Sequence, residues 1–271
     1  MKLIFGLIAF LGLGATLAGA QTSATYAAIG QQWVDEYNAE MLLLGKTPSV
    51  SDETYQGAEA STVSGWTDYY STSETGNKYT IVHVPDAGGP IQLMFTGDSI
   101  TQWLPWLTQF PQNSWANMAA SGSPCVDLAA RFKADLATVK PKIAIIACGT
   151  IDSYRNYIGG DSNNVHRSLD PISQMVADAR AVGVIPIVAT APPVTSAHPV
   201  LARYIRPLNA ALRLRGYYLW ERWFPLVEGT AGYGVLAYYE SDGIHPFVGA
   251  GPDVMVGGNL RWMISYLLKT P

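Results

Sequence analysis

The sequence contains few charged residues and no excess of positive charge. Only 14% of its 271 residues are Asp, Glu, Lys or Arg, and the formal net charge is −4. A protein that binds nucleic acid needs clustered basic side chains to neutralise the phosphates. The composition therefore argues against nucleic acid as a partner.

Long hydrophobic runs are missing except at the very beginning of the chain. Lys2 is followed by an apolar run from Leu3 to Leu17 and then by Ala18-Gly19-Ala20. A basic start, a short apolar region and small residues at a cleavage site are typical of a secretory signal peptide. The run is shorter than the roughly 20 residues that span a bilayer. We therefore expect residues 1–20 to be removed after Ala20, leaving a secreted or periplasmic protein without a stable membrane anchor.

Cysteine and histidine are also scarce, which limits metal chemistry. The cysteines are Cys125 and Cys148, and the four histidines do not lie at the spacing of zinc ligands. We therefore expect no metal and no other cofactor. The two cysteines form either a disulfide or two buried thiols. We favour the disulfide, because export permits it and both residues are expected at the same edge of a sheet.

The remainder of the chain divides into two parts. Residues 21–90 are rich in Ser, Thr, Gly and Tyr, with one predicted helix at 29–44 and one predicted strand at 79–84. We interpret them as an N-terminal extension packed on a main domain of residues 91–271. In that domain short apolar runs alternate with helical periodicity, which predicts a three-layer α/β fold with a parallel sheet. The predicted strands are 91–96, 114–118, 143–147 and 184–189, and the predicted helices are 126–139, 171–181, 200–215 and 253–268.

Reactive residues follow several of these predicted strands. Ser99 follows the first strand, and ligand sites in such sheets lie beyond the carboxyl ends of the strands. A serine nucleophile needs a neighbouring base that a carboxylate orients. Of His83, His166, His198 and His245, only His245 has a carboxylate at short fixed spacing, Asp242 in the segment SDGIHP. Ser99, His245 and Asp242 are therefore the candidate catalytic residues.

Four short blocks resemble the SGNH, or GDSL-type, hydrolase superfamily, and the resemblance extends from about residue 91 to the C-terminus. The blocks are GDSIT at 97–101, NMAASG at 117–122, GTID at 149–152 and DGIHP at 242–246. The resemblance implies a flavodoxin-like parallel sheet between helices and an ester hydrolase mechanism. Ser99 would attack the ester, His245 would transfer the proton and Asp242 would orient His245. The backbone amides of Ser99 and Gly122 would bind the oxyanion.

The third block departs from the family pattern. Ile151 stands where the family usually has Asn, whose side chain is the third oxyanion donor. Loss of one such donor typically slows acyl transfer by about 100-fold to 1,000-fold. Thr150, Ser153 and Asn156 are neighbouring polar residues that could replace it, and the sequence leaves the choice between them open.

The sequence thus predicts a secreted serine esterase that hydrolyses carboxylic esters. We expect short acyl groups such as acetyl, carried by a carbohydrate or a small alcohol, because no long apolar acyl channel is visible. Trp103, Trp106 and Trp115 lie close in sequence to the first two blocks, and a place in the core is the alternative for each of them. Trp103, four residues after Ser99, is the best candidate for the substrate cleft, together with Asn156. Ile151 leaves open a weakened member that binds carbohydrate or cell wall, and the family also includes lipolytic enzymes and acyltransferases.

Overall fold

A computed structural model describes residues 21–43, 53–73, 76–158, 165–228, 232–257 and 259–269. The predicted signal peptide, residues 1–20, lies outside these ranges. Within them, no helix combines the length and the apolar character that crossing a membrane requires.

One mixed sheet of eight strands forms the centre of the described structure. Its spatial order is β1-β2-β3-β5-β4-β6-β7-β8, and a separate pair, β9 and β10, lies outside it. The strands are β1 Glu53–Ala60, β2 Trp66–Ser73, β3 Lys78–Pro85, β4 Leu93–Gly97, β5 Trp115–Asn117, β6 Ile143–Ala147, β7 Ile185–Ala189, β8 Tyr218–Trp220, β9 Val227–Glu228 and β10 Tyr233–Gly234.

Strands β4 to β8 form the parallel half of the sheet. Counted from β4, their order is 2-1-3-4-5, which is the flavodoxin-like arrangement. The chain reverses its winding direction between β4 and β6, and such switch points open a crevice at the carboxyl ends of the strands. The predicted α/β class and the flavodoxin-like order are therefore confirmed.

Both faces of this parallel half are buried. In β6, Ile143 and Ile145 face one apolar cluster, whereas Ala144 and Ile146 face another on the opposite side. This alternation follows from the two-residue period of a strand, and a sheet covered on both faces needs an almost continuous apolar run. The apolar run at residues 143–147 therefore predicts the first and last residues of β6 correctly.

Helices cover both faces of the sheet, which gives the predicted three layers. Residues of α1, α4, α6 and α7 belong to one apolar cluster, and residues of α3, α8 and α9 belong to the other. The helices are α1 Ser23–Leu43, α2 Ser99–Gln102, α3 Trp106–Gln109, α4 Cys125–Val139, α5 Thr150–Ile158, α6 His166–Ala181, α7 Pro199–Arg213, α8 Gly251–Gly257 and α9 Leu260–Lys269.

The predicted start of α6 at Pro171 is wrong. The helix begins at His166, and Pro171 lies inside it. Leu169 lies before the proline and Ile172 lies after it, and both are buried. The apolar face of the helix therefore continues on the N-terminal side of Pro171. A proline in a helix removes one backbone hydrogen bond, and this burial outweighs that loss.

The predicted helix at 253–268 is also wrong as a single element, because α8 and α9 are separate helices. Asn259, which precedes α9, donates from Nδ2 to the Leu219 carbonyl and accepts at Oδ1 from the Glu221 amide. These bonds satisfy backbone groups at the edge of β8. The chain therefore turns at Asn259 and does not continue in one helix.

Residues 21–90 extend the same sheet. Strands β1, β2 and β3 are antiparallel to one another, and β3 pairs with β5. Helix α1 packs beside them and buries Ile29 and Trp33. The indole Nε1 of Trp33 donates to the Ala119 carbonyl at 2.9 Å. The N-terminal segment thus supports the loop that contains the second sequence block.

Cys125 and Cys148 are joined by a disulfide with a Cα–Cα distance of 5.5 Å. Cys125 begins α4, and Cys148 follows β6 immediately before Gly149. The disulfide therefore links the helix after the second block to the loop of the third block.

Removal of this disulfide should destabilise the protein measurably. The cross-link closes a segment with a sequence separation of 23 residues. For a loop of this size, the chain-entropy model gives a loss of about 3 kcal/mol in the free energy of unfolding. Urea denaturation of wild type and of the double variant Cys125→Ala, Cys148→Ala measures this loss. Reductant should lower the stability of wild type alone, and equal stability of both proteins in oxidising buffer would contradict the prediction.

Candidate active site

The candidate nucleophile lies at a tight turn between β4 and α2. Asp98 caps α2, because its Oδ1 accepts from the Ile100 amide at 3.1 Å. A Cβ at Gly97 would lie 2.3 Å from the Thr101 hydroxyl and 2.4 Å from the Ala147 carbonyl, so only glycine fits there. This close packing places Ser99 beside the carboxyl end of β6.

Ser99, His245 and Asp242 form one hydrogen-bonded chain across 146 residues of sequence. The Ser99 Oγ lies 2.8 Å from His245 Nε2, and His245 Nδ1 lies 2.5 Å from Asp242 Oδ2. This is the arrangement of nucleophile, base and orienting carboxylate found in serine hydrolases. The residues singled out by their spacing are therefore brought together by the fold.

The electrostatics of Asp242 suit an orienting carboxylate. Partial burial raises its pKa, but hydrogen bonds from the His245 ring and from the Ile244 and His245 amides outweigh that effect, and the net pKa is lowered. Asp242 therefore stays ionised at neutral pH. An ionised carboxylate fixes the histidine tautomer that leaves Nε2 free to accept the serine proton.

A second loop holds the segment that contains Asp242 and His245. The Thr195 amide donates to the Gly243 carbonyl at 3.0 Å, and His198 Nε2 lies 2.6 Å from the Asp242 carbonyl. Gly243 has a φ of +67°, and a Cβ there would lie 2.3 Å from the Thr195 hydroxyl. His198 thus supports the carboxylate loop, a role that sequence spacing did not reveal.

The remaining histidines lie away from Ser99. His83 is buried in β3, where Nδ1 lies 2.6 Å from Asp68 and the ring stacks on Trp66. His166 pairs with Asp170 at the exposed start of α6. Among the described residues, therefore, His245 is the histidine whose ring meets the Ser99 hydroxyl.

The two predicted oxyanion donors are available. Neither the Ser99 amide nor the Gly122 amide donates a hydrogen bond to another described residue. Gly122 adopts a φ of +81° in the turn after β5, a conformation that favours glycine. Asn117 fixes this turn to the nucleophile helix, because its Nδ2 donates to the Gln102 carbonyl and its Oδ1 accepts from Ala119.

The third block begins α5, and its polar residues differ in availability. Ile151 is half-buried and offers no donor. The Ser153 hydroxyl donates to the Gly149 carbonyl at 2.7 Å, whereas the buried Thr150 hydroxyl has no hydrogen-bond partner in the described part of the chain. Asn156 lies in the same helix, but its side chain is outside the described structure. Thr150 therefore has an uncommitted hydroxyl at this edge of the sheet.

Trp103 lies beside the hydrogen-bonded chain. Its ring centroid is 4.9 Å from that of His245, and 41% of the residue is exposed. Trp106 and Trp115 are both buried, and their indole nitrogens donate to the Thr101 and Phe110 carbonyls. The structure thus places Trp103 at the site and the other two in the core.

A buried arginine that lies behind Ser99 was not identified from the sequence. Arg222 is fully buried, and its Nη1 and Nη2 have no partner among the described residues, nor does the Oδ2 of Asp98. Burial lowers the pKa of Arg222 to about 10, and the charge of Asp98 opposes this. Burial raises the pKa of Asp98, and the charge of Arg222 opposes that in turn. The two buried charges therefore stabilise each other behind Ser99.

Solved structures with a similar fold include proteins that are named as a lipase, an acylhydrolase and an esterase. A GDSL-like lipase from Bacteroides thetaiotaomicron is 22% identical, with a TM-score of 0.56 over 65% of this chain and 88% of that one. A protein named as an acylhydrolase from Bacteroides fragilis is 24% identical, with a TM-score of 0.57 over 66% and 88%. A mutant acetyl-xylooligosaccharide esterase from Geobacillus is 20% identical, with a TM-score of 0.51 over 63% and 92%.

These similarities establish the fold of the chain. No protein-family model matches the sequence, and no curated protein resembles it significantly. The chain has the fold of the SGNH, or GDSL-type, hydrolases. The resemblance carried by the four sequence blocks is therefore confirmed at the level of the fold.

Removing the charge of Arg222 should destabilise the protein more at high pH than at low pH. The variant Arg222→Met raises the pKa of Asp98 further above its unfolded value, because the opposing charge is lost. A carboxyl with a raised pKa loses stability as the pH rises through that pKa. We expect a loss of about 3 kcal/mol at pH 8 and a smaller loss at pH 5. Urea denaturation at both pH values measures the difference.

The matched control for this variant is the double variant Asp98→Asn, Arg222→Met. Asn keeps the cap on the Ile100 amide but removes the negative charge. The double variant should therefore be less sensitive to pH than Arg222→Met alone. An equal loss of stability at both pH values in the single variant would show that the two charges do not interact.

Proposed function

We propose that the protein is a secreted serine esterase that hydrolyses carboxylic esters. The observation that carries the proposal is the hydrogen-bonded chain from Ser99 through His245 to Asp242. It lies at the switch point of the sheet, where ligands bind in folds of this kind. Because a fold alone does not define an activity, we infer the activity from this geometry.

The proposed mechanism follows from the contacts of each residue. His245 takes the Ser99 proton at Nε2 while the serine Oγ bonds to the ester carbonyl carbon, and the carbonyl oxygen becomes an oxyanion. The amides of Ser99 and Gly122 donate to that oxygen. His245 returns the proton to the departing alcohol, leaving an acyl-enzyme. Water activated by the same histidine then releases the acid and restores Ser99.

The proposed substrates carry short acyl groups, such as acetyl, on a carbohydrate or a small alcohol. The exposed ring of Trp103 beside His245 supports this, because aromatic faces pack well against sugar rings. The name of the Geobacillus neighbour, an acetyl-xylooligosaccharide esterase, is consistent with such a substrate. The proposal includes no cofactor, because the chemistry is complete with serine, histidine, aspartate and water.

Secretion forms part of the proposal. The segment from Lys2 to Ala20 has the pattern of a signal peptide. The disulfide between Cys125 and Cys148 supports it, because disulfides persist mainly in oxidising compartments outside the cytosol. Cleavage after Ala20 would leave Gln21, whose side chain bonds to Val139 and Ile91, at the new N-terminus.

A second candidate function is a weakened hydrolase that mainly binds carbohydrate. Ile151 favours it, because the side chain lacks the donor that the resembling family has at this position. The intact hydrogen-bonded chain and the two free amides oppose it. We therefore prefer the esterase.

Replacement of Ser99 tests the esterase directly. The variant Ser99→Ala should lose hydrolysis of p-nitrophenyl acetate by a factor of about 10³ or more, because the nucleophile is gone. The variant Asp242→Asn should lose a factor of about 10⁴ in kcat, because an amide favours the wrong histidine tautomer. His166→Asn, at the exposed start of α6, is the matched control and should keep wild-type kcat. Equal slow rates for wild type and Ser99→Ala would leave the binding protein as the better interpretation.

Thr150 is proposed as the donor that replaces the missing asparagine. The variant Thr150→Val keeps the shape of the side chain, and loss of its hydroxyl should lower kcat by about 100-fold. Ser153→Ala is the control, because that hydroxyl is already bound to the Gly149 carbonyl. Ile151→Asn should raise kcat more in Thr150→Val than in wild type. A wild-type kcat in Thr150→Val would exclude this hydroxyl as a donor.

A further inference from the structure

A pocket separates β3 from the segment that follows the nucleophile. It encloses about 260 Å³, and its walls are residues 78–80 of β3, residues 102–107, and Trp115 and Asn117. Trp103 lines the pocket and also contacts the His245 ring. The pocket therefore lies one side chain away from the reacting groups, and the N-terminal segment supplies one of its walls.

Gln102 lines this pocket and has a buried hydrogen-bond acceptor without a partner among the described residues. The residue is only 5% exposed, and its Oε1 accepts no hydrogen bond from any described residue. Leaving a buried acceptor unpaired is unfavourable, and such groups in native structures usually have a partner. A ligand with a hydroxyl group would supply the missing donor. An acyl chain would not.

The charges around the pocket favour a neutral ligand. None of its described lining residues is acidic, and its one basic residue is Lys78. The ammonium of Lys78 is already paired with Glu59 and lies 4.0 Å from the centroid of the Tyr70 ring. A charged group on the ligand would find no free partner of opposite sign here.

We propose that this pocket binds the sugar ring of the ester's alcohol part, an inference that rests on the proposed esterase function. A sugar ring has hydroxyls for Gln102 and an apolar face for the exposed ring of Trp103. The volume lies below the range of roughly 300 to 1,000 Å³ that drug-sized ligands occupy. One ring fits this space better than a long acyl chain does. The N-terminal segment thus determines which alcohols the esterase accepts.

Two esters of the same shape test the proposal. They are 6-O-acetylglucose and cyclohexylmethyl acetate, which share a ring on a methylene ester but differ in the ring hydroxyls. The ratio of their kcat/KM values should fall about tenfold in Gln102→Met, the effect of one lost hydrogen bond. Tyr79→Leu, on the opposite wall, should lower it as well. Gln109→Met, a buried glutamine outside the pocket, is the matched control and should keep the wild-type ratio.

Binding of free sugars separates this proposal from the esterase proposal. Wild type is titrated with the methyl glycosides of glucose, galactose, mannose and xylose, and tryptophan emission reports binding beside Trp103. Weaker binding in Gln102→Met supports the subsite, even when wild type hydrolyses neither ester and the esterase proposal fails. An unchanged kcat/KM ratio in both pocket variants, with no glycoside bound by wild type, overturns the subsite and leaves the esterase proposal intact.

Discussion

The close approach of β4 to β6 at Gly97 is the constraint on which the site depends. A side chain at Gly97 would collide with Thr101 and with the Ala147 carbonyl. Because glycine removes that collision, α2 begins directly against the end of β6, and Thr101 donates to the Ala147 carbonyl. The nucleophile turn and the loop of the third block therefore share one crevice. The proposed reaction at Ser99 uses both, because Thr150 in the third block is the donor proposed to replace the missing asparagine.

The fold was largely predictable where burial dictates the residue type. Strand β6 is covered on both faces, so its apolar run has the bounds of the strand. Strands β1 and β2 were missed, because their segments ETYQGAEA and WTDYYSTS contain no continuous apolar run: β1 is an edge strand of mostly exposed and half-buried residues, and β2 buries the polar residues Asp68 and Ser71. Their pairing depends on register with β3, which no local pattern encodes. The start of α6 was missed because a proline signal was outweighed by tertiary burial.

The site was predictable where its residues are close in sequence or lie in a block that resembles the family, as Ser99 and Gly122 do. Asp242 and His245 lie three residues apart, so their spacing indicated an orienting pair. Arg222 belongs to the segment ERW, which resembles an exposed loop, yet it is fully buried behind Asp98. Thr195 and His198 support the carboxylate loop from 44 to 48 residues away. Contacts between residues so far apart in sequence form only in the folded chain, and no local sequence pattern indicates them.

The N-terminal segment contacts both the loop of the second sequence block and the pocket beside Trp103. Through Trp33 it holds the Ala119 carbonyl, three residues before Gly122, and through β3 it forms a wall of the pocket beside Trp103. One segment therefore contacts both the loop of a proposed oxyanion donor and the surface proposed to bind the alcohol. An ester whose alcohol part fills the pocket would also contact β3, and β3 pairs with β5. The pairing of β3 with β5 would then join the proposed alcohol subsite to the strand that leads into the turn of Gly122.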